Sequence, residues 1–189
     1  MNIIGKIRSL FLKSDNQHLT NKVEQKKTYE SIDIIVDTFN FLISIPDDEN
    51  SWEAICDRSE NFLITDDFID LSWNRLADKY GFNHISENMI SENEVELSYR
   101  KSSIKYQLNH DRDDIIRAYC ALSKLLEDDF YLFYCTDSWQ TSDLAFLAVP
   151  SSHIDSLNDN ESKKIIPVQE NFDIFFNNAF SDEYKNNYT

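Results

Sequence analysis

At 189 residues the chain has the size of one domain, and with 41% hydrophobic and 13% aromatic residues it carries too much apolar surface for a disordered acidic tail. Its net charge of −16 repels phosphates and anionic head groups, which argues against a general nucleic-acid or membrane-surface binder and favours positively charged protein partners. Most of that charge lies between Ser31 and Tyr99, where 16 Asp and Glu face only Arg58, Arg75 and Lys79.

The first segment, Asn2 to Lys13, places Ile3, Ile4, Ile7, Leu10 and Phe11 on one helical face with Lys6, Arg8 and Lys13 largely off it, and Ser14 to Lys27 reads as a polar linker. Residues 1–27 are thus expected to be an amphipathic helix and linker ahead of one α+β domain over residues 28–189. Tyr29 to Ile45 spaces Ile32, Ile35, Val36, Phe39, Leu42 and Ile43 for a helix that Pro46 stops. A short helix from Trp52 to Arg58 follows, with Ser51 as its cap, and Thr65 is read as the cap of a longer helix to Tyr80. Ile69, Trp73, Leu76 and Tyr80 form that helix's inner face, and Gly81 ends it.

Val95 to Tyr99 and Ile104 to Leu108 alternate apolar and polar residues as a half-buried hairpin does. Asp111, Asp113 and Asp114 then open a helix to about Glu127. The runs Phe130 to Cys135 and Leu144 to Val149 read as the central strands of the sheet, joined by the polar loop TDSWQTSD and closed by Pro150. Lys164 to Val168 is expected to be a further strand and Asn171 to Phe180 a final helix. The sum is a mostly antiparallel sheet of about four to five strands packed with several helices.

Catalytic motifs are missing from this pattern. Gly5 and Gly81 are the only glycines, so neither GxGxxG nor a Walker loop can exist, and GxSxG, HExxH and zinc-spaced Cys and His pairs are also absent. The cluster His110, Asp111, Arg112, Asp113 and Asp114 has the residue types of a metal site, but carboxylates in a first helical turn are stabilised by the helix dipole without a metal. Asp47, Asp48, Glu49 and Asn50 begin like a calcium loop without its glycine or later ligands. Cys56, Cys120 and Cys135 lie in apolar contexts without a CxxC pair, as reduced structural thiols do, and His18, His84, His110 and His153 are far apart. No cofactor, metal site or catalytic residue is assigned, and no apolar stretch approaches membrane-spanning length, so a cytoplasmic non-enzyme is expected.

The densest acids, Asp47, Asp48, Glu49, Glu53, Asp57, Glu60, Asp66, Asp67 and Asp70, accompany Arg58 as the only base and form the candidate partner-binding residues. Solvation alone is the competing explanation, and the helix-start positions of Asp66, Asp67 and Asp70 account for part of the charge. Asp137, Trp139 and Asp143 in the TDSWQTSD loop are a second candidate, with Trp139 either an interface anchor or folded onto the sheet. A short, acidic, glycine-poor chain with the paired apolar runs YLFYC and LAFLAV around TDSWQTSD resembles the immunity proteins encoded beside bacterial polymorphic or contact-dependent toxins. That resemblance implies a protein that binds and neutralises a cognate toxin domain, often a basic nuclease, with neither nucleic acid nor membrane as its own partner. An acidic adaptor, or a hydrolase with an unrecognised carboxylate site, are the alternatives.

Overall fold

Five helices and seven strands form the described part of this α+β chain, whose computed structural model describes residues 33–65, 68–111, 113–140, 143–156, 163–169 and 171–179. The expected helix of residues 2–13, the linker to Lys27, the boundary after it, and Asp66 and Asp67 lie outside these residues. The elements are α1 (33–44), α2 (Trp52–Asp57), β1 (Leu63–Ile64), α3 (Ile69–Tyr80), β2 (Ile85–Ser91) and β3 (Glu94–Tyr99). They continue with β4 (Ser102–Gln107), α4 (Asp114–Leu126), β5 (Phe130–Cys135), β6 (Ala145–Pro150), β7 (Ile165–Pro167) and α5 (Phe172–Ala179).

The strands divide into two antiparallel sheets, one ordered β1-β6-β5-β7 and the other β2-β3-β4. The expected β5–β6 pair does lie at the centre of the larger sheet, with Phe130 opposite Pro150 and Phe133 opposite Leu147. Every residue of β6 is buried, so this strand carries the unbroken apolar run of a strand covered on both faces. The smaller sheet adds β2 to the expected hairpin. Only Ile85 of β2 is fully buried, which removes the alternation that would have marked it as a strand.

Helical periodicity holds where one face meets the core. In α1, Ile35, Phe39, Leu42 and Ile43 are buried despite their partly β-branched neighbourhood. In α3, Ile69, Trp73, Leu76, Ala77 and Tyr80 are buried, and Gly81 takes a left-handed φ of 73° with its N–H on the Ala77 carbonyl. The start of α3 differs from expectation. Thr65 exchanges hydrogen bonds with Leu144, its N–H donating to the Leu144 carbonyl and its Oγ1 accepting the Leu144 N–H, so it extends the β1–β6 pairing instead of capping a helix. The free N–H of Ile69 donates instead to Glu87 Oε2 of β2 at 3.1 Å. Ser51 does stand at the N-cap position of α2, its carbonyl accepting the Ile55 N–H, but its hydroxyl makes no cap bond.

Trp73 joins the two sheets. It is fully buried, its ring meets Tyr99 of β3 edge-on at 6.3 Å and Phe130 of β5 edge-on at 5.1 Å, and its Nε1 donates to the Asn83 carbonyl at 2.8 Å. The helix α4 packs on β3, β4 and β5, and Tyr119 stacks on Phe146 of β6 at 3.8 Å. Beneath α1 a buried polar group is hydrogen-bonded through both its amide nitrogen and its oxygen: Asn61 donates to Thr38 Oγ1, and its Oδ1 accepts from Lys79 and from the Tyr80 hydroxyl. Trp73→Ala should therefore cost about 3–5 kcal/mol of stability in urea unfolding, with a smaller loss for Trp73→Phe, which keeps a ring between the sheets.

Candidate protein-binding site

The surface candidate begins with a loop that is charged outside and tied inside. Asp47, Asp48 and Glu49 are exposed in the turn between α1 and α2. Below them the Lys164 side chain is only 3% exposed, and its ammonium donates to the carbonyls of Asp47 and Glu49 and to Asp137 Oδ2 at 3.0 Å. Asp137 Oδ2 also accepts both the backbone N–H and the hydroxyl of Ser51, each at 2.7 Å. A buried ammonium is tolerated when its charge and all its donors are matched, and here one carboxylate and two carbonyls do so.

Partial burial pushes the Asp137 carboxyl up, but the two Ser51 donors and the Lys164 ammonium outweigh it and hold it below the usual aspartate range. This constellation contains a serine, a lysine and an aspartate, yet it is not arranged as a nucleophile and base. Ser51 is 1% exposed and its hydroxyl donates to the carboxylate, so no substrate atom reaches it. Its effect is on the backbone: the loop bearing three acids is fixed from beneath, and the Asp47 carboxylate further accepts the Lys163 N–H at 3.3 Å.

From this loop the chain enters α2, where Glu53 and Asp57 are exposed one turn apart on the same face. Asp47, Asp48, Glu49, Glu53 and Asp57 are thus an acidic strip along the chain, all exposed on an adjoining loop and helix. Arg58, next in sequence, lies over the Phe41 ring at 3.8 Å. The other acids of the expected cluster go elsewhere. Glu60 pairs with Lys79 at 2.9 Å. Asp70 stands at the start of α3 beside Glu87, whose carboxyl is raised first by its burial and further by the Asp70 charge.

In the second candidate, TDSWQ forms a 3-10 turn rather than an open hairpin loop. Asp137 points into the Lys164 node, Trp139 is half-buried against the core, and Asp143 is half-buried. Trp139 is therefore folded onto the domain. The aspartates at 111 and 114 ion-pair with Arg117 at 2.7 Å, and the Asp114 carboxylate accepts the N–H groups of Asn109 and His110. Among the described residues no group of three His, Cys, Asp or Glu side chains could hold a metal ion, and no helix is long and apolar enough to cross a membrane. Sequence reasoning missed Lys164 and Ser51. Nothing in the local pattern Lys163-Lys164-Ile165 distinguishes a buried lysine from a solvated one.

Breaking the node by Lys164→Met should cost about 3 kcal/mol and speed amide exchange at residues 48–51, read by hydrogen–deuterium exchange. Because the folded Asp137 carboxyl titrates below its unfolded value, its contribution is present above about pH 4 and is lost as pH falls through the folded value. The stability gap between wild type and Asp137→Asn should accordingly be full at neutral pH and shrink in acid, measured by urea midpoints. Cys56 is exposed, whereas burial pushes the Cys120 thiol up to about 12 and raises that of Cys135, so a thiol reagent at mildly alkaline pH should modify Cys56 alone until the chain is unfolded. No protein-family model, curated protein or solved structure matches the chain.

Proposed function

We propose that the chain is a non-enzymatic protein inhibitor that receives a basic partner domain on the strip Asp47, Asp48, Glu49, Glu53 and Asp57, as an immunity protein receives a cognate toxin. The observation that carries this reading is the combination of five exposed acids on an adjoining loop and helix with a backbone fixed from below by Lys164. Clustered carboxylates raise the rate of encounter with a basic surface, and a fixed loop loses little conformational freedom on binding. A solvating surface needs neither feature. Glu53 and Asp57 also repel each other across one helical turn at a cost of about 0.2–0.5 kcal/mol, which a partner's Lys or Arg between them would turn into attraction.

The partner chemistry that fits is a domain whose own active surface is positive, as that of a nuclease must be to hold a phosphate backbone. Covering that surface inhibits it. The site of action in this reading is the cytoplasm, where the partner would otherwise reach nucleic acid.

The test is to mix the chain with the C-terminal domain of the neighbouring gene's product and to follow both association and that domain's activity. A tight complex with loss of activity is expected, a complex that leaves activity intact would make the chain an adaptor, and no complex at micromolar concentration would sink the pairing. In the triple variant Asp48→Lys, Glu53→Lys and Asp57→Lys, association should slow about tenfold or more at low salt and approach wild type at high salt. Equal rates at every ionic strength would contradict steering by the strip.

A further inference from the structure

A groove of about 390 Å³ opens on the opposite chemical character to the acidic strip. One wall is the run Ile104 to Gln107 of β4. Successive side chains of a strand point to opposite faces, so a groove touching four consecutive residues runs along the strand's edge and not across a face. β4 is the terminal strand of its sheet, and its outer main-chain groups are the kind that an incoming strand pairs with.

The facing wall is Arg117, Cys120, Ala121 and Lys124 of α4, a stripe at i, i+3, i+4 and i+7 that extends for about 10 Å. Three strand steps from Ile104 to Gln107 also span about 10 Å. Strand edge and helix stripe are therefore matched in length, with the small residues Cys120 and Ala121 between the two cations. Asn171 and Phe172 at the start of α5 complete the lining, and the Arg117 guanidinium lies over the Phe172 ring at 4.6 Å.

In a chain of net charge −16, the charged side chains that line this groove among the described residues are all basic: Lys105, Arg117 and Lys124. Glu94, Asp111, Asp114 and Glu127, which pair with them, stand outside the lining. We propose that this groove takes an extended, acidic peptide segment of a partner protein as an added strand on β4. Main-chain pairing and the small-residue floor hold the segment, and the three cations select its charge by exchanging one surface ion pair for another. The surface is separate from the acidic strip, so the two readings fail independently.

The experiment selects short random peptides from a displayed library against the full chain and then measures a synthetic representative by fluorescence anisotropy and amide exchange. Enriched peptides should alternate acidic with apolar residues and should protect the amides of residues 103–107. Methylating alternate peptide nitrogens, which removes donors without changing side chains, should weaken binding about tenfold or more, the loss expected for one or two hydrogen bonds. The exposed-side variant Lys105→Gln with Lys124→Gln should weaken it severalfold while leaving the unfolding midpoint near wild type. No enrichment, enrichment of basic peptides, or binding indifferent to both changes would overturn the proposal. So would a concentration-dependent dimer that the same double substitution abolishes, because a second copy would then be the occupant.

Discussion

The arrangement depends on one buried ring. Two antiparallel sheets, neither large, must share a core, and the Trp73 indole touches both, meeting Tyr99 from the smaller sheet and Phe130 from the larger. An indole needs a partner for its N–H when buried, and the Asn83 carbonyl supplies it just beyond the end of α3. The left-handed Gly81 turns the chain so that Asn83 can return to the helix it has left. Packing, hydrogen bonding and turn chemistry thus agree at this one position. The register of β2 against α3 follows from it, fixed further by Glu87 accepting the first free N–H of that helix.

The elements visible in the sequence are those with one wet and one dry face. The stripe Ile69, Trp73, Leu76 and Tyr80 and the alternation in β3 are direct records of burial, and the structure buries those residues. The runs in β5 and β6 were equally plain because nearly all their residues are buried, Tyr131 alone being exposed. What could not be read is what depends on distant partners. β2 shows almost no alternation, since most of it is exposed, and β1 is too short to carry a period. Thr65 has the chemistry of a helix cap but finds Leu144 instead. The hydrogen-bonding capacity of such a residue is legible, and the recipient is not.

The same division applies to the candidate site. Asp47, Asp48, Glu49, Glu53 and Asp57 remain together because they are close along the chain and exposed on adjoining loop and helix. Glu60 and Asp70 were grouped with them by sequence proximity, but Lys79 claims one and the start of α3 claims the other. Asp137 was read as a surface acid, whereas its donors Ser51 and Lys164 come from opposite ends of the domain. A carboxylate's charge is written in the sequence. Whether it faces solvent or an ammonium is decided by the assembled fold.

Lys164 also sets an order of events. Its bond to the Glu49 carbonyl joins residues 115 apart, and contacts that close so long a loop reward the chain only after most other structure has formed. During synthesis the strip from Asp47 to Asp57 leaves the ribosome well before the lysine that fixes it and the adjoining strand β7. The acidic residues are therefore displayed early as charge and only late as shape. A ligand that needs charge alone meets the growing chain, whereas one that needs the fixed loop meets the completed one.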